Sequence, residues 1–216
     1  MVALAAAFCG GCAIAAAAAD ADSLSIVAAT GTPDEVQALI SQGAIVTAQD
    51  KDGVSALMAA ARFNTDPAVV SLLLQRGADV NTRDGNGETA LAWAAEYNAN
   101  PEVIGLLLRA GADPCDRDAL GRTPLMLAAR YNGSPAVLQA LLAASTTPLN
   151  ARDDFGRTAL TYAAWMNASP QAVVLLLKAG ADARVRCNDG TTAFDRAQEN
   201  PAASADELVQ LALAQK

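Results

Sequence analysis

The chain is predicted to be an all-α solenoid, a stack of copies of one two-helix unit, on three observations. Glycines in one register fall at Gly53, Gly87, Gly121, Gly156 and Gly190, stepping by 34 residues with one step of 35. Prolines in a second register, Pro67, Pro101, Pro135 and Pro170, keep the same steps. Repetition at a period between about 20 and 50 residues marks stacked supersecondary units. The third observation is composition: hydrophobic residues make up 52% of the 216 but aromatic residues only 4%. A core of Ala and Leu sets thin helices close together, which suits a quasi-one-dimensional stack.

The unit from Gly85 to Asp118 shows why each element forms. The run DGNG is a tight turn, and Thr89 caps the free N–H groups of a starting helix. Leu91, Ala94 and Ala95 then follow at helical spacing. Asn98 is expected to stop that helix by adopting the left-handed conformation. Asn100-Pro101 opens the next helix, where a missing N–H costs nothing. Val103, Ile104, Leu106, Leu107 and Leu108 predict a second helix buried over much of its surface, and Gly111 ends it.

Residues 22–50 form a degenerate first unit. Leu24, Ile26, Ala28 and Ala29 predict a short helix, and Thr32 with Glu35 a capping box for a second helix reaching Ile40 and stopped by Gly43. Residues 51–84, 85–118, 119–153 and 154–187 are full repeats, the third irregular, with Ser145 in place of glycine and one inserted residue. Residues 188–216 close the array with a further capping box at Ser204 and Glu207 and a more polar last helix. A solenoid needs polar ends to stay soluble.

The phrases GETALAWAA, GRTPLMLAA, LLLQRGADVNTRD and LLLRAGADPCDRD resemble the ankyrin motifs G-x-T-P-L-H-x-A-A and L-L-x-x-G-A-D-V-N-A. The resemblance covers residues 22–216. It implies a turn or hairpin plus an antiparallel helix pair in each of about six repeats, two of them caps. It also implies binding of a protein partner through a concave groove lined by the turns and the ends of the first helices. The motif's histidine is replaced by Met58, Ala92, Met126 and Thr161, and the period is one longer than usual, as expected of bacterial members of the family.

Several chemistries are excluded. The sequence contains no histidine, which removes Ser-His-Asp, Cys-His and histidine–metal arrangements. Cys115 and Cys187 stand two repeats apart, about 20 Å at the usual layer spacing, too far for a disulfide. They are expected to be free thiols, too few for a metal site. A formal net charge of −8 opposes nucleic-acid binding, which needs concentrated Lys and Arg. Asp50, Asp84, Asp118 and Asp153 each precede a turn, where a carboxylate ties down backbone N–H groups. Cys187 takes that place in the last copy. No glycine cluster suits a phosphate, and no cofactor or metal is expected.

Residues 1–21 read as the apolar centre and small-residue end of a secretory signal peptide, with cleavage after Ala19 or Ala21, although the charged beginning is missing. The stretch is too alanine-rich for a stable membrane span, and neither Cys9 nor Cys12 lies in a lipidation box. The expected location is periplasmic or secreted, with the cytoplasm as the alternative.

Repetition within the chain separates scaffold from candidate site. Asn64, Asn98, Asn132 and Asn167 recur and read as framework, as does the ladder Phe63, Tyr97, Tyr131 and Met166, which is expected to pack between repeats. Trp93 and Tyr162, at a usually leucine position, are expected in the core. Varying positions in repeats three and four collect Leu120, Arg122, Arg130, Phe155, Arg157 and Trp165 on one expected face. Trp, Tyr and Arg dominate interface energies, and apolar turn tips gain nothing from water. The sequence thus predicts a non-enzymatic, monomeric protein-binding module. The alternatives are an immunity or inhibitor protein occluding an exported or incoming enzyme, whose basic surface would suit the acidic chain; an envelope spacer; and, least favoured, a carboxylate-based enzyme.

Overall fold

The computed structural model describes residues 21–144, 146–166 and 169–201. These hold the helices α1 (Ala21–Thr30), α2 (Pro33–Ser41), α3 (Ala56–Phe63), α4 (Pro67–Gln75), α5 (Ala90–Tyr97), α6 (Pro101–Arg109), α7 (Pro124–Tyr131), α8 (Pro135–Leu142), α9 (Ala159–Met166), α10 (Pro170–Lys178) and α11 (Ala193–Glu199). Odd-numbered helices stack in one row from α1 to α11, and even-numbered helices from α2 to α10 in a second. Each odd helix from α1 to α9 also packs on the even helix that follows it. The predicted segment at residues 1–20, Ser145, Asn167 and the closing capping box lie outside the described residues.

Local signals set the helix starts. Thr32, Ser55, Thr89, Thr123 and Thr192 cap their helices through side-chain oxygens. At the position of the motif's histidine, Met58 and Met126 turn their sulfurs toward the N–H of Ser55 and Thr123, and Thr161 offers its hydroxyl to Thr158. Each supplies a weak acceptor for an otherwise orphaned donor. Prolines begin α4, α6, α8 and α10, with Asp66 and Asn100 accepting from the second residue inside.

Packing explains the composition. Ala60, Ala61, Ala94, Ala95, Ala128, Ala129, Ala163 and Ala164 are at most 1% exposed, because stacked odd helices leave room for a methyl group only. The even helices bring Val69, Val70 and Leu73, then Val103, Ile104 and Leu107, then Val137, Leu138 and Leu141 into the same core. Gly53, at φ +82°, sits where a Cβ would lie 3.0 Å from Asp84 Cα and Gly85 N in the next turn. The turns are therefore stacked as closely as the helices.

Asn98 does not take the left-handed conformation expected of it. Its φ is −88° and ψ 128°, and no described residue other than glycine has a positive φ. The side chain ends the helix instead: Nδ2 donates to Ala61 O and Asn64 O of the preceding repeat, and Oδ1 accepts from Asn100 N. Asn64 and Asn132 repeat all three bonds. Asn98→Ala would strand two buried carbonyls and one N–H, at about 1–3 kcal/mol for each group left unsatisfied. Urea denaturation followed by circular dichroism should show a loss of roughly 3 kcal/mol or more. Asn98→Asp, which keeps the acceptor and loses both donors, should lose most of that stability too; a neutral Asn98→Asp would contradict the role of the amide donors.

Candidate protein-binding groove

Two ladders make the floor of the turns. Asp50, Asp84, Asp118 and Asp153 each accept two turn N–H groups on Oδ1, at 2.7–2.9 Å. Neighbouring turns are joined by Gly85 N–H to Asp52 O, Ala119 N–H to Asn86 O, Asp154 N–H to Leu120 O and Asn188 N–H to Phe155 O. The residue before each aspartate forms the second ladder. Arg83, Arg117 and Arg152 each donate to a carbonyl of their own turn and another of the next repeat, and Gln49 does the same. The signal for this ladder in the sequence is the recurrence of Gln49, Arg83, Arg117, Arg152 and Arg186, one residue before each turn aspartate or, at Arg186, before Cys187.

The second aspartate oxygen varies from repeat to repeat. Trp93 Nε1 donates to Asp84 Oδ2 at 3.0 Å, and Tyr162 OH to Asp153 Oδ2 at 2.6 Å. In the intervening repeat Leu127 replaces the aromatic residue and Arg122 Nε takes the bond to Asp118 Oδ2 at 2.5 Å. Trp93 and Tyr162 are buried, as expected of a core role. Arg122 also reaches Glu88 at 3.4 Å and is 14% exposed, so it presents little surface. Cys187 is buried and Cys115 exposed, both as free thiols.

The ladder expected to pack between repeats is instead exposed. Phe63, Tyr97, Tyr131 and Met166 show 44–55% of their surface; the first three each directly precede an inward-turned asparagine and so face away from the stack. Leu120 and Phe155 are exposed to a similar degree at the turn tips. Arginines lie between these elements. Arg62 stands 4.6 Å from the centroid of Phe63, 4.8 Å from Trp93 and 3.9 Å from Tyr97. Farther along, Arg130 lies over Tyr131 (4.6 Å) and Tyr162 (5.3 Å), and Arg157 over Tyr162 (6.0 Å), Phe155 (4.7 Å) and Trp165 (5.0 Å). Arg196 also lies over Trp165, at 4.6 Å. Tyr131, Arg130, Tyr162, Arg157, Trp165 and Arg196 thus alternate ring and cation across three repeats. Each contact contributes about 0.5–2 kcal/mol and holds the side chains in place before any partner arrives. Of the expected face, Arg130, Phe155, Arg157 and Trp165 meet in this stack, while Leu120 and Arg122 occupy the adjoining turn.

Repeat two carries the opposite sign. Glu96 replaces the arginine of α3 and α7 and is buried, and Glu88 stands nearby beside Arg122. Burial and the charges of Glu96, Asp84 and Asp118 push the Glu88 carboxyl up to about 7, against the pull of Arg122. Burial and a hydrogen bond with Glu96 likewise push Tyr97 up to about 12. Among the described residues no group of His, Cys, Asp or Glu is arranged to hold a metal ion, and no helix is long and apolar enough to cross a membrane.

The Glu88 shift has a consequence for stability. Between pH 4.5 and about 7 the folded protein keeps a proton that the unfolded chain has released, so this group makes stability fall as pH rises through that window. Glu88→Gln should remove that slope and stabilise the protein above pH 7 by roughly 1–3 kcal/mol. Thermal denaturation from pH 5 to 8 measures it, and an unchanged slope in the variant would refute the assignment.

The family model described as Ankyrin repeats (3 copies) matches residues 24–118, 97–187 and 125–215. No curated protein matches the chain. Among solved structures, the complex of the Bd0816 predatory endopeptidase from Bdellovibrio bacteriovorus with immunity protein Bd3460 contains a chain 30% identical to this one, with a TM-score of 0.74. The match covers 90% of this chain and 98% of that one. Repeats that match the family model along nearly the whole array, folded as stacked helix pairs, show that the chain belongs to the ankyrin repeat family of protein-interaction modules.

Proposed function

We propose that this protein is an immunity protein: it binds an endopeptidase through its concave groove and blocks it, performing no chemistry of its own. The observation that carries this reading is the near-complete correspondence with a chain from a complex in which an immunity protein is bound to an endopeptidase. The groove supports it physically. Rings and guanidiniums already stacked on one another lose little conformational entropy on binding, so a few anchors are enough. Export to the periplasm, directed by the apolar residues 1–21, would bring a monomeric inhibitor to the compartment of an exported or incoming enzyme.

The purified full-length chain should inhibit one endopeptidase activity in the envelope fraction of its own organism, and cross-linking with mass spectrometry should recover that enzyme. Phe155→Ala/Trp165→Ala should weaken inhibition about 100-fold, since two central aromatic anchors are typically worth more than about 1 kcal/mol each, with circular dichroism unchanged. An envelope whose endopeptidase activities all survive a saturating amount of the chain would overturn the proposal.

A further inference from the structure

The arginines of this protein fall into distinct groups. Arg83, Arg122, Arg184 and Arg196 pair with carboxylates. Arg117, Arg152 and Arg186 donate to turn carbonyls. Arg130 and Arg157 have neither a carboxylate within 4.0 Å nor a carbonyl to donate to among the described residues. The Nε atom of each is buried without a hydrogen-bond acceptor, as are those of Arg196 and of Arg62, which is stacked on rings in the same way nearer the other end of the array. They flank one ring, Tyr162, whose hydroxyl is itself turned to Asp153. Arg157 also touches that phenol. Phe155, Tyr131 and Trp165 cover the guanidinium faces.

A guanidinium stacked on rings keeps its charge and its in-plane donors while its faces are withdrawn from water. Such a group matches a planar, bidentate anion. Two of them about one ring, with no carboxylate within 4.0 Å, leave a local positive charge that Asp153 and Asp189 offset only from farther away. A long polyanion would have to approach through the surrounding net charge of −8; a single carboxylate on a protein loop would not.

Resting on the immunity reading, we propose that the segment of the partner gripped by repeats three to five is acidic, with an Asp, Glu or C-terminal carboxylate seated against the Arg130 or Arg157 guanidinium, on either side of the Tyr162 ring that they flank. The rings beside them take the apolar flank of the same segment. The anion is thus met by two preorganised donors in a partly desolvated place, where a charged hydrogen bond is worth more than at an open surface.

Full-length protein is titrated with a rhodamine-labelled, C-terminally amidated Gly-Tyr-Glu-Tyr-Gly peptide carrying one carboxylate, and with its Gly-Tyr-Lys-Tyr-Gly counterpart. The glutamate peptide should bind, and raising salt to about 0.5 M should weaken it. Arg130→Gln/Arg157→Gln should reduce its affinity by about tenfold or more, whereas Arg76→Gln/Arg109→Gln, at exposed ends of the even helices, should leave it unchanged. Equal binding by the first pair and the original protein overturns the inference, as does preference for the lysine peptide or for a dT oligonucleotide of the same length. An endopeptidase blocked equally well by Arg130→Gln/Arg157→Gln also overturns it, leaving the immunity reading intact. Selective glutamate-peptide binding with no endopeptidase blocked supports the inference and removes that reading alone.

Discussion

The structure depends on a buried amide handed from repeat to repeat. Asn64, Asn98 and Asn132 each hold two carbonyls of the repeat before and one N–H of their own loop, and Asn200 reaches Ala164 O in the same manner. Leaving such groups unmet inside the stack would cost more than most side-chain contacts return, so α3, α5 and α7 each end at a set height and rotation relative to their predecessors. The outward ring ladder follows directly. With the asparagine turned inward, the residue before it must face outward.

The same logic sorts the turns. Asp50, Asp84, Asp118 and Asp153 consume one carboxylate oxygen on their own backbone, and Arg83, Arg117 and Arg152 staple each turn to the next. What remains free to vary is the turn tip and the last turn of each odd helix. Those positions carry Phe155, Arg157, Arg130 and Trp165 on one side and Glu88 and Glu96 on the other. A rigid scaffold therefore presents a groove of alternating sign, whose side chains are held by each other rather than by the scaffold.

Repeat period, helix caps and the alanine core were all legible in the sequence, because each follows from local geometry repeated many times. Recurrence was less reliable as a guide to burial. It identified Asn64 and Asn98 as framework correctly, yet it also assigned Phe63, Tyr97 and Tyr131 to inter-repeat packing, although they are about half exposed. A position can recur because every repeat offers the same groove wall, and sequence period alone does not distinguish wall from core. The conformation of Asn98 was misread for a related reason: a left-handed helix end is a local property, whereas its actual role uses carbonyls more than thirty residues away. The hydrogen bonds of Trp93 and Tyr162 to the turn aspartates were equally invisible, since only the fold brings residues nine apart across the repeat together.

Net charge is a coarse guide to a partner. An acidic total would suit a basic one, yet a total says nothing about which charges are already satisfied. Arg122 and Arg196 are spent on carboxylates of their own chain; Arg130 and Arg157 are stacked on rings with no carboxylate within 4.0 Å. At an interface, the unsatisfied groups decide what is accepted, because a partner gains little from a charge that must first be released from another. On the proposed reading, the acidic surround turns away extended polyanions, and the ring-backed arginines take a single carboxylate. Specificity in this groove is accordingly expected to come from where carboxylates sit on the partner's loop, more than from the partner's overall charge.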